Sequence, residues 1–349
     1  VMDPQERLFL EIVWLLLEQT GHSASLLKHR YNHKVGTYVG SMTLPYQQID
    51  ATPELAAVTS LATHSIIANR VSYFFDLQGP SVAVDTMCSS SLSAVDLACN
   101  ALRNGDCRLA IAGAVNLSLE RNKYIGLSRA GALASHEWSR SFSDGDGYIP
   151  AEGVGAVLLK PLRDAQRDED TILAVIKASS TNHGGRSNGF AVPNVNAQAQ
   201  LIVDNIRRAG VDPSTINYIE CASNGSALGD PIEITALKKA FNTFTQAQQF
   251  CAIGAVKASI GHAEAASGMS QLAKVLLQLK HGTLVKTLLA DTPNMRINLS
   301  DSPFYLQTKT MPWHRVTLQH DGQDVTYPRR AAISSFGDGG SNAHLILEE

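Results

Sequence analysis

Cysteine is scarce in this chain, with five in 349 residues. Cys88, Cys99, Cys107, Cys221 and Cys251 include no CxxC pair. That excludes a disulfide framework and a structural zinc site as the basis of the fold. Reduced thiols in a cytoplasmic setting are the simplest expectation, and no metal is expected. Neither sign of charge dominates: 29 Lys+Arg stand against 32 Asp+Glu, a net charge of -3. A basic nucleic-acid binder and a charge-driven membrane binder are thereby excluded as default readings. Long apolar runs are missing too. The stretch Ile12–Leu17 falls far short of the roughly 20 residues a membrane span needs. No signal peptide is recognisable. Aromatics make up only 6% of the chain.

What is present suits a packed α/β protein. The chain is 44% hydrophobic and holds 26 glycines. At about 150 residues per domain, its length implies two domain-sized units or one fold of two halves. Strand-like and helix-like patterns alternate almost throughout. Val82–Asp85, Leu109–Val115, Gly153–Lys160, Ile172–Ala178, Ile216–Glu220 and Ala252–Val256 read as strands. Ala331–Phe336 and Leu345–Leu347 close the series. Ser89–Arg103, Ala197–Ala209, Asp230–Ala240 and Ala265–Lys280 read as helices, with Gly210 and Gly282 as stop signals. Such alternation predicts largely buried sheets. Asp321–Pro328 reads as a polar turn. The chain opens inside a helix-like segment, Asp3 to Glu18, which predicts a natural N-terminus upstream. Ala110–Val115 echoes Ala252–Val256, as two related halves would.

Three segments carry possible chemistry. Asp85-Thr86-Met87-Cys88-Ser89-Ser90-Ser91 runs from a buried strand into a helix. Cys88 therefore sits at a helix N-terminus, whose partial positive charge favours a thiolate. The small serines after it are expected to leave room for an acyl group and to satisfy free donors. A buried, inert cysteine is the plain alternative. The other four cysteines read as packing. In Val256-Lys257-Ala258-Ser259-Ile260-Gly261-His262-Ala263-Glu264, a loop carries His262 toward a helix start, where imidazole is biased neutral. A neutral imidazole can donate to a carbonyl oxygen that gains negative charge. Lys257 and Glu264 are placed to form a buried pair holding that loop, though a structural histidine is the plain alternative. Phe336-Gly337-Asp338-Gly339-Gly340 allows close backbone approach to a ligand, or is an ordinary glycine turn. His344, just beyond it, reads as structural.

Together these segments resemble the ketosynthase domain of modular polyketide synthases, within the thiolase-like condensing enzymes. The resemblance runs from Met2-Asp3-Pro4-Gln5-Glu6-Arg7 to Asn342-Ala343-His344-Leu345. It passes through Ile67-Ala68-Asn69-Arg70-Val71-Ser72-Tyr73 and Gly79-Pro80-Ser81. Asn182-His183-Gly184-Gly185-Arg186-Ser187-Asn188-Gly189 looks most like assembly lines whose acyltransferases act in trans. The family's opening segment, with its first strand, is absent, so that part is expected to be truncated or unseen. The resemblance implies an α/β thiolase-like fold, five-layered αβαβα, in two pseudo-repeated halves, here residues 1–193 and 194–349. It also implies a homodimer, flanking synthase domains and acyl carrier protein partners. No cofactor is implied in the domain, because substrate arrives on a carrier's 4'-phosphopantetheine arm. The family nucleophile maps onto Cys88 and one active-site histidine onto His262. The oxyanion N–H groups map onto Cys88 and Asp338, where the family often has Phe or Ala. Asn224 and Ser226 match two threonines that touch the pantetheine arm.

One position departs from the pattern. The family reads Glu-Ala-His-Gly-Thr-Gly-Thr before Leu-Gly-Asp-Pro-Ile-Glu. Here the register is Glu220-Cys221-Ala222-Ser223-Asn224-Gly225-Ser226, then Ala227-Leu228-Gly229-Asp230-Pro231-Ile232-Glu233. Ala222 holds the place of the other catalytic histidine, and no histidine occurs between His183 and His262. Two histidines stabilise the malonyl-derived enolate in the family reaction. Losing one such donor costs roughly 2.7–4 kcal/mol, about 10²–10³ in rate. Acylation of a cysteine asks for less. The expectation is a non-elongating ketosynthase that moves an acyl chain without lengthening it. A slow condenser and a catalytically dead dimerisation scaffold are the alternatives.

Overall fold

The computed structural model describes residues 2–48 and 63–349. Two compact units make up the chain. The first contains Val1–Gly126, Ala151–Ile172 and Ala263–Met269; the second contains Leu127–Pro150, Leu173–His262 and Ser270–Glu349.

In the first unit, α1 (Pro4–Gln19) starts where the sequence dictates. The Asp3 carboxylate accepts the Gln5 N–H at 2.7 Å, and Pro4 fills a first-turn position that needs no donor. Phe9, Val13 and Leu17 form its buried stripe. Then follow α2 (Ala24–Tyr31), β1 (Val35–Gly40), α3 (His64–Phe74), β2 (Ser81–Val84), α4 (Ser90–Asn104) and β3 (Leu109–Asn116). Next come α5 (Asn122–Arg129), β4 (Gly153–Leu159) and α6 (Leu162–Arg167). The sheet order is β2-β1-β3-β4. β1 runs parallel to β2 and β3, and β4 is antiparallel to β3. β1 and β3 are buried along their whole length, as their near-continuous small and apolar sequences require of central parallel strands.

The second unit opens with β5 (Val175–His183), α7 (Val195–Ala209), β6 (Ile216–Glu220), α8 (Gly229–Phe241), β7 (Cys251–Gly254) and α9 (Lys257–Ile260). α10 (Ser267–His281) begins in the first unit's last segment and ends in the second unit. After it come β8 (Thr283–Leu284), β9 (Phe304–Leu306), β10 (Met311–Pro312), β11 (Thr317–His320), β12 (Gln323–Thr326), β13 (Arg330–Phe336) and β14 (Ser341–Glu348). Its main sheet has the order β5-β14-β13-β6-β7-β9. β6 is parallel to β13 and β7, while β14 is antiparallel to β13 and β5. Its core centres on Ile202, Ile219, Leu237, Phe241, Ile253, Phe304 and Ile346.

The two sheets share a plan. β2-β1-β3 followed by antiparallel β4 matches β7-β6-β13 followed by antiparallel β14. The sequence echo between Ala110–Val115 and Ala252–Val256 pairs the wrong strands. β3 corresponds in order to β13, and β7 to β2. Both echoing strands are fully buried, and burial alone selects their small apolar residues. Two further expectations are corrected. β5 begins and ends later than its apolar run, because pairing with β14 extends through Thr181, Asn182 and His183. Residues of the polar stretch Asp321–Pro328 form β12, which pairs with β11.

Candidate active site

Cys88 stands at the sharp turn between β2 and α4. The Asp85 carboxylate accepts the Met87 N–H at 3.0 Å, and Met87 takes a left-handed φ of 56°. That strained step turns the chain from the strand end into the helix. Cys88 is half-buried, whereas Cys99, Cys107, Cys221 and Cys251 are buried. Burial pushes the thiols of Cys107, Cys221 and Cys251 up, so they stay protonated.

The serines after Cys88 act as struts, and Ser90 Oγ accepts the Thr86 N–H at 2.9 Å, the donor-satisfying role expected of them. Ser89, Ser90 and Ser91 are fully buried. The Ser89 hydroxyl donates to the Thr86 carbonyl at 2.8 Å, and Ser90 donates to the Met87 carbonyl at 2.6 Å. Ser91 Oγ accepts the Gly268 N–H at 2.9 Å, and Ser267 Oγ donates to the Cys88 carbonyl at 3.1 Å. The start of α10 thus clamps the Cys88 turn. Only glycine fits at 268, because a Cβ there would lie 2.7 Å from Leu92 Cγ.

His262 is buried. Its N–H donates to the Ile149 carbonyl at 2.8 Å, and it forms a bridge with Pro150. Its ring meets Tyr148 edge-on, with centroids 4.8 Å apart at 73°. The expected helix start beside it lies further on: a 3-10 turn, Glu264–Ala266, intervenes before α10 begins at Ser267. Backbone pairing and an aromatic edge therefore hold the ring. Glu264 is fully buried with a φ of 46°, and Lys123 Nζ approaches its carboxylate to 2.7 Å. Lys123 is a residue the sequence reading does not include.

The segment around Ala222 is held at nearly every backbone position. The Ala222 N–H donates to Glu233 Oε1 at 2.7 Å, and its carbonyl accepts from Lys257 Nζ at 2.9 Å. The Ser223 hydroxyl donates to Glu233 Oε2 at 2.8 Å. The N–H groups of Asn224 and Gly225 both donate to Asp230 at 3.1 Å. Gln271 Nε2 donates to the Cys221 carbonyl at 2.9 Å. Gly225 sits at a φ of 96°, where a side chain would strain the backbone. Asn224 Oδ1 accepts the Ser226 N–H at 3.1 Å, and Ser226 Oγ accepts the Gly229 N–H at 3.0 Å. Among the described residues, the Asn224 amide nitrogen and the Ser226 hydroxyl proton have no further partner.

The sequence reading uses Asp230 and Glu233 only to fix register. In the structure they form, with Lys257, a buried cradle under residues 222–225. Burial raises Asp230 to about 6 and Glu233 to about 7; the N–H bonds and the Lys257 charge only partly oppose it. The motif Asp-Pro-Ile-Glu is the available signal: Asp230 stands in the first turn of α8, where a carboxylate seeks free N–H groups, and Glu233 follows it by three residues. Asp338 is exposed on the tight turn after β13, and its carboxylate accepts the Gly339 N–H at 2.9 Å. His344, in β14, is buried against Ser334 at 3.1 Å, and burial lowers it to about 3.

Residues 1–165 match the family described as Beta-ketoacyl synthase, N-terminal domain, and residues 173–291 match Beta-ketoacyl synthase, C-terminal domain. The chain belongs to the beta-ketoacyl synthases. It is a ketosynthase domain of the polyketide synthase type, with the thiolase-like fold of its solved relatives. This ketosynthase is 51% identical over its full length to Polyketide synthase PksR of Bacillus subtilis (strain 168), and 50% identical to PksL of the same organism. It spans 14% and 8% of those relatives' lengths. A ketosynthase domain of the oxazolomycin system of Streptomyces albus JA3453 superimposes with a TM-score of 0.93 at 47% identity, over 99% of this chain and 61% of that one. The ketosynthase from module 6 of the bacillaene synthase of Bacillus subtilis 168 gives 0.89 at 39% identity, over 100% of this chain and 60% of that one. Among its described residues, the ketosynthase has no group of three His, Cys, Asp or Glu able to hold a metal, and no helix long and apolar enough to cross a membrane.

Proposed function

We propose that this domain is a non-elongating ketosynthase of an assembly line whose acyltransferases act in trans. The Cys88 thiolate attacks the carbonyl carbon of a carrier-bound acyl thioester. The tetrahedral intermediate expels the pantetheine thiolate, which takes up a proton, and the acyl group remains on Cys88. The same steps in reverse pass it to the next carrier. The N–H groups of Cys88 and Asp338 serve the oxyanion, and His262 supplies a hydrogen bond to the reacting carbonyl. Asn224 and Ser226 serve the pantetheine arm. The domain consists of two related halves, which the matched order of β2-β1-β3-β4 and β7-β6-β13-β14 supports; β5, which precedes residue 194, pairs with β14 in the second half's sheet, so a division at 193/194 does not hold. The domain works as a cytoplasmic homodimer between flanking synthase domains.

The observation that carries this reading is the segment at Ala222. Its backbone is bound by Glu233, Lys257 and Asp230, so the support a catalytic loop would need is present, yet the side chain at that position is a methyl group. A cradle kept without its imidazole fits transfer retained and enolate stabilisation lost. Intact-mass measurement tests it. Incubation with an acyl thioester is expected to add one acyl mass at Cys88, and malonyl carrier protein is then expected to yield no lengthened product. Absence of loading favours a scaffold, and chain growth a condenser; either overturns the proposal.

A further inference from the structure

α5 buries none of its residues, and Tyr124 and Ile125 on it are 41% and 44% exposed. Lys123 on the same helix is half-buried. Its side chain is only 10% exposed and reaches inward to the fully buried carboxylate of Glu264. Lys123 is itself fixed at both ends: its N–H donates to Glu120 at 2.8 Å, and its ammonium donates to Ser118 Oγ at 2.8 Å. Glu264 stands in left-handed backbone that glycine would occupy without strain. Lys123 is an ionic partner of that carboxylate. The same short segment carries His262 at one end and, at the other, Ser267 and Gly268, which bind the Cys88 carbonyl and Ser91 Oγ.

We infer that Lys123 is a positioning residue: through Glu264 it fixes the turn that joins His262 to the clamp on Cys88. The inference rests on the roles proposed above for Cys88 and His262. Lys123 touches no reacting atom in this account. It sets the geometry of those that do, and misplacement near a reacting centre is costly in rate rather than in binding.

Acylation of Cys88 by butyryl-N-acetylcysteamine, followed by intact mass, tests it in the full chain. Lys123→Gln is expected to lower the maximal acylation rate constant by about tenfold or more, with the half-saturating concentration within about twofold. The double variant Lys123→Gln/Glu264→Gln replaces the ion pair by a neutral amide pair of the same shape. It is expected to recover to within about threefold of the native rate. A folded Lys123→Gln protein at the native rate overturns the inference, as does a folded double variant as slow as the single one. Should Lys123→Gln not fold, the double variant carries the test alone, read the same way. Iodoacetamide capture of Cys88, mapped by peptide mass, reads the same turn without acyl transfer. A native chain that alkylates at Cys88 but takes no butyryl group counts against the proposed function, and the Lys123 comparison is then decided on alkylation.

Discussion

Cys88 differs from its four siblings in the one property that governs thiol chemistry, access to solvent beside a helix start. Cys88→Ala is therefore expected to abolish mass gain from an acyl thioester, while Cys251→Ala leaves loading intact. At position 222 the group proposed to be missing is a hydrogen-bond donor, and the bonds from the Ala222 N–H and to its carbonyl do not depend on the side chain. An imidazole can be restored there without dismantling them. The sequence made both residues legible, Cys88 from its strand-turn-helix setting and Ala222 from ungapped flanks. It did not reveal the buried serines as struts, because a serine that donates to a nearby carbonyl and one that caps a free N–H look alike in one dimension. Lys123 was equally hidden: its partner is remote in sequence, and only the folded chain brings them together.

At the scale of elements, the start of α8 and the short α9 act together. α8 supplies Asp230 and Glu233 from its first turns, and α9 supplies Lys257. Lys257→Met strips the cation from two buried carboxylates and leaves the Ala222 carbonyl without its ammonium. Leaving a buried carbonyl without its donor costs about 1–3 kcal/mol. Chemical denaturation is expected to show a loss of that size, and an unchanged midpoint would contradict the cradle. Helices were largely legible because caps and stops are local: Asp3 opens α1, and Gly210 ends α7 in left-handed backbone. Strand ends were less so. β5 outruns its apolar stretch because its last residues are fixed by β14, and β12 exists because β11 pairs with it.

At the scale of the whole chain, buried titratable groups set opposing pH dependences. His344 holds to about 3 when folded and near 6.5 when unfolded. The unfolded chain binds more protons between those values, so this histidine costs stability as pH falls below about 6.5. Asp230 and Glu233 are raised to about 6 and about 7, so the folded chain binds more protons across that range. They contribute stability in acid that is lost as pH rises through 6 and 7. Melting temperature against pH separates the two. His344→Gln is expected to flatten the acid side between pH 6.5 and 4, and Glu233→Gln the stretch between pH 4.5 and 7, each by roughly 3 kcal/mol at about 1.4 kcal/mol per pH unit. The same slope in variant and native chain would contradict the assigned burial. Composition foretold a packed α/β chain, but it held no trace of these buried charges, since burial is a property of the fold.

On the proposal above, this ketosynthase carries cargo on sulfur yet lacks the donor that makes an enolate. Release of carbon dioxide from malonyl carrier protein by the acyl-loaded chain measures that step alone. The native protein is expected to release it at only about 10⁻³–10⁻² of the rate of the Ala222→His variant. Steady release by the native chain, at a rate that Ala222→His does not increase, would contradict the account.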